Sequence, residues 1–158
     1  MNDAFCHLLR VRYAECDAQK VVFNAKYAEY VDIAATEFMR AIWGSYNDLL
    51  ASGVDNQVVK LTISWKAPAR FDDVLAIRVK PFETGSSSYT LQLDFYNFET
   101  IKHLASAQIV YVMVSTGTHK KMIIPDHMRK AFEAGAPGIM TDHAGVGVKT
   151  DIEPASYQ

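Results

Sequence analysis

The sequence predicts an α+β domain in which an antiparallel sheet wraps around one long central helix. The first observation is an amphipathic stretch from about residue 24 to residue 43, with apolar residues at steps of three and four. The second is a change to alternating apolar and polar residues in the stretches that follow, which is typical of half-buried strands. The third is their order, because a run of strands after one long helix must cover that helix with one face of the sheet.

The first two elements are a strand and the long helix. A strand is predicted over residues 5–13, with one face formed by Phe5, His7, Leu9, Val11 and Tyr13. The helix is predicted to begin at Asn24, a favoured N-cap because its side-chain oxygen accepts from a first-turn N–H, and to end at Gly44. Residues 45–53 are predicted to form a loop or a short helical turn.

Four further strands are predicted over residues 59–67, 74–82, 88–98 and 104–114, separated by turn signals. We expect them to pair antiparallel in meander order. Pro81 indicates that its strand lies at an edge or carries a bulge. A short helix is predicted from Pro125-Asp126, with Met128 and Phe132 inward and Gly135 at its end.

Composition narrows the class of protein and its partners. The chain has 158 residues, with 49% hydrophobic and 22% charged residues, as expected for one globular domain. A net charge of −2 gives no reason to expect nucleic acid as a partner, and no apolar run reaches the length needed to span a membrane. The two cysteines form no disulfide framework, and the first residues do not resemble a signal peptide. We therefore expect a cytoplasmic protein.

The stretch from Asp17 to Tyr27 contains the strongest indication of function. A carboxylate precedes a turn, a short apolar run follows, and a helix then begins. The first turn of a helix has unpaired N–H groups and a positive dipole end. If the loop bends back, the Asp17 carboxylate and those donors would lie on opposite sides of one substrate carbonyl. That arrangement suits acyl transfer.

The same stretch resembles the signature of a known family. Its characteristic positions are Asp17, Val21, Val22, Asn24, Tyr27 and Tyr30. The pattern Arg12-Tyr13-x-Glu15-Cys16 precedes them, and Phe71-Asp72-Asp73-Val74-Leu75-x-Ile77 follows. Over roughly residues 8–130 the chain resembles the hot-dog-fold acyl-CoA thioesterases of the hydroxybenzoyl-CoA thioesterase-like branch. The resemblance implies a hot-dog domain, placed over residues 1–136, and a homodimer or homotetramer. It also implies hydrolysis of acyl-CoA to free acid and CoA with no cofactor and no metal. Residues 137–158 have no periodicity and are predicted to form a C-terminal extension or a frayed end.

By position, the resemblance assigns the catalytic carboxylate to Asp17, as nucleophile or as general base towards water. It assigns polarisation of the carbonyl to the backbone N–H of Asn24 or a neighbour. The substrate-binding residues implied are Val22, Phe23, Tyr27, Ser86, Ser87, Ser88 and Lys120.

The sequence departs from the family pattern in two places. Lys20 stands where the family loop usually has glycine. The segment 84–88 is rich in glycine and serine, where the hydroxybenzoyl-CoA enzyme has basic residues for the nucleotide phosphates. Phosphate binding would therefore depend on hydroxyls and backbone N–H groups, or on Lys120 and Lys121.

Alternatives remain open from the sequence. A hot-dog hydratase or dehydratase would need an acid/base pair, commonly a histidine with a carboxylate, and no histidine is near Asp17 in sequence. A non-catalytic acyl-thioester binding protein is a further alternative. Glu15 is predicted to be a solvated charge at a strand end, and the five histidines show no metal-ligand spacing. The acyl group, and CoA versus acyl-carrier protein as the leaving thiol, stay undetermined.

Overall fold

The computed structural model describes residues 3–147, so residues 148–158 of the predicted extension lie outside the described part of the chain. Within residues 3–147, the chain forms six strands and three α-helices. The strands are β1 (Phe5–Arg10), β2 (Val54–Trp65), β3 (Val74–Thr84), β4 (Ser88–Asn97), β5 (His103–Ser115) and β6 (Met140–Asp142). The helices are α1 (Lys26–Trp43), α2 (Tyr46–Ala51) and α3 (Asp126–Ala134).

All six strands belong to one sheet, in the order β2-β5-β4-β3-β1-β6. The predicted meander is correct for β3, β4 and β5 and wrong for β2, which pairs with β5 at the edge instead of with β3. The cause is α1, whose 18 residues span about 27 Å and deliver the chain to the edge opposite β1.

The core lies between α1 and one face of the sheet. The ring of Phe38 on α1 meets Phe5 of β1 edge-on at 5.8 Å between centroids, and Tyr27 meets Phe95 of β4 at 5.4 Å. α2 shows that the helical alternative for residues 45–53 is correct, and Met128 and Phe132 of α3 are buried as predicted. The prediction of a sheet wrapped around one long helix is therefore confirmed.

Two boundaries near the N-terminus differ from the prediction. β1 ends at Arg10, and Tyr13 lies in a 3₁₀ turn with 81% of its surface exposed, so it does not continue the buried face of the strand. α1 begins at Lys26 and has Ala25 as its N-cap, so Asn24 is not the cap. Lys26 N donates to Phe23 O at 2.9 Å, and this tight turn delays the start of the helix by two residues.

The two edges of the sheet differ in character. The pairing of β3 with β4 shifts register at Pro81, so Pro81 marks a bulge in an interior strand, close to Gly135 at the end of α3. β6 pairs parallel with β1, so residues of the predicted extension form one edge. β2 forms the other edge, and it exposes Val58, Val59, Leu61 and Trp65. Among residues 3–147, no helix is long and apolar enough to cross a membrane.

Candidate active site

The chain between β1 and α1 folds back on itself as a narrow loop. Asp17 N donates to Val21 O at 2.9 Å, and Phe23 N donates to Glu15 O at 2.9 Å. Val22 N donates to Ala69 O at 2.8 Å, which ties one arm of the loop to the segment that follows β2. The loop therefore bends back as expected from the sequence. Asp17 lies on one arm, and the other arm leads to the start of α1.

The Asp17 carboxylate is partly exposed at the tip of this loop. Its Oδ1 accepts from Gln19 N at 2.8 Å, which orients the carboxylate. Its Oδ2 accepts no hydrogen bond from any residue between 3 and 147. One carboxylate oxygen is therefore available to a substrate or a water molecule.

Lys20 adopts the left-handed conformation, with φ of 62°. Its N donates to Asp17 O at 2.9 Å, so this conformation closes the turn that carries the carboxylate. Glycine adopts such a φ without a steric cost, whereas other residues lose about 1–2 kcal/mol. The left-handed φ explains why the family pattern has glycine at this position. In this chain, Lys20 adopts the same conformation and preserves the turn.

The start of α1 presents two free backbone donors. The N–H groups of Lys26, Tyr27 and Ala28 donate to carbonyl oxygens three residues earlier. The N–H groups of Asn24 and Ala25 have no acceptor within the described chain. Unpaired N–H groups at the positive end of a helix dipole suit a carbonyl oxygen that gains negative charge.

An open groove of about 330 Å³ lies against Asn24. Its lining residues are Val21, Val22, Asn24, Tyr27, Trp65, Lys66, Ala67 and Pro68. Tyr27 is buried and packs edge-on against Trp65 at 6.1 Å between ring centroids. The groove lies at the end of the edge strand β2.

The structure brings together some of the predicted site residues and separates others. Val22, Asn24 and Tyr27 line the groove. Phe23, which lies between Val22 and Asn24 in sequence, is 48% exposed and is not among the lining residues. Asp17 lies on the opposing arm of the loop, outside the lining residues.

The predicted phosphate-binding residues lie at the other end of the sheet within one protomer. Ser87 O accepts from Met113 N, and Lys120 O accepts from Ser115 N, both near the end of β5. From Ser88 to Phe95, which contacts Tyr27, β4 extends about 23 Å. Ser86, Ser87, Ser88 and Lys120 therefore do not reach the groove of their own protomer, and their substrate role stays a prediction.

Glu15 is the residue whose burial the sequence interpretation did not predict. The prediction of a solvated charge is wrong, since Glu15 is only 5% exposed. Tyr30 OH donates to its Oε2 at 2.7 Å, and Arg12 donates to both carboxylate oxygens. Burial alone would raise the pKa of the Glu15 carboxyl, but the hydrogen bonds from Arg12 and Tyr30 outweigh it and lower that pKa. In the sequence, the three-residue spacing of Arg12 and Glu15 was the available indication that the two side chains pair.

A second cavity, of about 280 Å³, lies at the opposite half of β2. Its lining residues are Asp32, Thr36, Met39, Tyr46, Asn56, Val58 and Tyr111. Asn56 Oδ1 is buried there without a hydrogen-bond partner in the described structure. Tyr46 OH donates to Asp55 Oδ1 at 2.5 Å beside it. We call this space the Asn56 cavity.

Comparison with known proteins identifies the class. The thioesterase-like superfamily model matches residues 11–132, so the chain belongs to that superfamily. It is 30% identical over 125 residues to the acyl-CoA thioester hydrolase YbgC of Escherichia coli, covering 79% of this chain and 92% of that protein. It is 25% identical over 130 residues to the putative acyl-CoA thioesterase YneP of Bacillus subtilis, covering 78% of this chain and 86% of that protein.

Solved structures agree on the fold. A thioesterase superfamily protein from Jannaschia sp. superposes with a TM-score of 0.79 at 22% identity, covering 87% of this chain and 96% of that one. A 1,4-dihydroxy-2-naphthoyl-CoA thioesterase from Synechocystis gives 0.74 at 20% identity, covering 82% and 95%. The fold is the hot-dog fold, as expected. The protein is an enzyme of the thioester hydrolase class.

Proposed function

We propose that this protein is an acyl-CoA thioesterase that hydrolyses its substrate to free acid and CoA. Asp17 acts as nucleophile or general base, and the N–H of Asn24 polarises the thioester carbonyl, with the N–H of Ala25 beside it. The observation that carries the proposal is the pair of unpaired N–H groups at the end of the loop that holds Asp17. The names of the E. coli and B. subtilis relatives support acyl-CoA as the substrate.

The chemistry needs few groups because a thioester is already activated. The carbonyl oxygen accepts from the helix-start N–H groups, which stabilise the negative charge of the tetrahedral intermediate. As a nucleophile, Asp17 attacks the carbonyl carbon, the thiolate leaves, and water hydrolyses the resulting anhydride. As a general base, Asp17 removes a proton from the attacking water while the same thiolate leaves.

The site is proposed to be completed by a second copy of the chain. β2 is a 12-residue edge strand with exposed Val58, Val59, Leu61 and Trp65, and a long apolar edge favours pairing with another strand. A twofold axis across β2 pairs the two edges antiparallel. The Asn56 cavity of the partner subunit then faces the groove beside Trp65, and the end of the sheet that carries Lys120 approaches as well. Pairing of such dimers into a homotetramer is proposed from the family resemblance.

Two further points belong to the proposal. A cytoplasmic location suits Cys6 and Cys16, which are both unpaired thiols. The hydratase alternative receives no support from the groove, since none of its lining residues is a histidine.

A thiol-release screen over short, long and aromatic acyl-CoAs tests the proposed activity. We expect release of CoA with at least one acyl class, measured with a thiol reagent. An enoyl-CoA absorbance assay runs in parallel. Hydration without thiol release would replace the proposal with the hydratase, and ligand-induced thermal stabilisation without either reaction would replace it with the binding protein.

A further inference from the structure

Glu15 is an unusual residue to bury. It is the one buried residue between Arg12 and Val21, although it carries a carboxylate and its neighbours are partly or fully exposed. Removing a charge from water is costly unless hydrogen bonds and an opposite charge compensate for it. Both are present here, so the burial of Glu15 is a built feature of the loop.

The Glu15 side chain joins the exit of β1 to α1. Oε1 accepts from Arg12 Nε at 2.8 Å and from Arg12 Nη2 at 2.6 Å. Oε2 accepts from Arg12 N at 2.8 Å and from Tyr30 OH at 2.7 Å. Tyr30 is fully buried on α1, so its hydroxyl is a fixed point in the core. Four donors therefore hold one carboxylate in a single orientation.

The Glu15 backbone joins the two arms of the active-site loop. Its carbonyl oxygen accepts from Phe23 N at 2.9 Å, directly before the Asn24 donor. Two residues after Glu15 comes Asp17, whose own N donates to Val21 O. The hydrogen bond between Glu15 O and Phe23 N therefore lies two residues from Asp17 on one arm and one residue from Asn24 on the other.

We propose that Glu15 is a positioning residue, which sets the Asp17 carboxylate against the helix-start N–H groups by anchoring the loop to Tyr30. The inference rests on the proposed function, because it concerns the same reacting groups. Nothing in it requires Glu15 to touch the substrate. A displacement of about 1 Å of a catalytic group can lower the rate about 100-fold, so an anchor at this place has a measurable catalytic effect.

The test compares Glu15→Gln and Tyr30→Phe with a matched control, Glu29→Gln. Glu15→Gln removes the charge that binds Arg12, and Tyr30→Phe removes one hydrogen bond to Glu15. Glu29 is an exposed glutamate of α1 that pairs with Lys26. We expect Glu15→Gln to lower kcat about 10- to 100-fold while KM changes less than about threefold. Tyr30→Phe should lower kcat less than Glu15→Gln does, and Glu29→Gln should leave kcat unchanged.

The double variant and an amide-exchange measurement separate positioning from simple stabilisation. The losses of Glu15→Gln and Tyr30→Phe should be less than multiplicative in the double variant, because both act through one contact. In Glu15→Gln, the amides of Phe23 and Asp17 should exchange hydrogen faster while those in the middle of α1 keep their protection. A purely structural role predicts faster exchange throughout and an unchanged kcat in the folded fraction.

The outcomes are distinct from those for the proposed function. If Asp17→Asn abolishes thiol release while folded Glu15→Gln and Tyr30→Phe keep wild-type kcat, the positioning role is overturned and the function stands. If Asp17→Asn retains wild-type kcat, the proposed function fails first. Should Glu15→Gln not fold, Tyr30→Phe decides: unchanged kcat and unchanged exchange at Phe23 would reject the inference.

Discussion

Replacement of Asn24 by proline deletes one proposed oxyanion donor with little disturbance elsewhere. Asn24 is the first central residue of the turn closed by Lys26 N and Phe23 O at 2.9 Å, and Ala25, with φ of −66° and ψ of −23°, is the second. Proline is favoured at the first central position because its ring fixes φ near −65°. The N–H of Asn24 donates to no acceptor among residues 3–147, so Asn24→Pro breaks no internal hydrogen bond.

The expected loss follows from the number of donors. Two N–H groups point from the helix start, and removing one oxyanion donor typically costs about 3–4 kcal/mol, or about 10²–10³ in kcat. The matched control is Asn24→Ala, which keeps the N–H and removes only the side chain. We expect kcat for Asn24→Ala within about threefold of wild type. Steady-state thiol release, with circular dichroism for the fold, measures both variants. Equal losses in the two variants, or wild-type kcat in folded Asn24→Pro, would refute the backbone-donor role.

Three further predictions concern stability, substrate and assembly. Burial, with repulsion from His143, lowers the pKa of His7 to about 4, so the unfolded chain binds a proton first as pH falls below about 6.5. Stability should therefore drop by about 2 kcal/mol between pH 7 and pH 5, and His7→Gln should remove most of that drop in urea unfolding. Lys120→Ala should raise KM for an acyl-CoA but not for the matching acyl-pantetheine, and equal effects on both would exclude a phosphate contact. Val59→Lys should split the proposed dimer, as measured by sedimentation, and lower activity, whereas Phe82→Lys, at an equally exposed apolar site away from the edge, should do neither.

Most of the fold was predictable because its elements have strong periodicity. The long helix and the strands 74–82, 88–98 and 104–114 agree with α1, β3, β4 and β5 to within two residues at every boundary. The position of β2 was not predictable, because its alternating pattern specifies a face and not a neighbour. Its place beside β5 follows from the path of α1 across the sheet, which is a tertiary effect.

The site was predictable where its residues are adjacent in sequence. Asp17 and the donors near Asn24 lie in one stretch, so a motif and the physics of helix ends were enough to propose them as one site, and their roles stay a prediction. Glu15 was misread because its burial depends on Tyr30, which only the folded loop brings to 2.7 Å. The proposed role of Lys120 likewise depends on a proposed second protomer, and the pattern of a single chain does not predict which residues of two copies lie close together.

The catalytic role of Asp17 is tested most directly by the kcat of Asp17→Asn for thiol release, measured with the acyl-CoA that the wild-type enzyme hydrolyses fastest. The matched control is Asp72→Asn, which removes an exposed aspartate that pairs with Arg10. We predict a loss of about 10²–10⁴ in kcat for Asp17→Asn, with unchanged melting temperature and oligomeric state, and near-normal kcat for Asp72→Asn. Wild-type turnover by folded Asp17→Asn would contradict the central claim that this carboxylate drives the hydrolysis.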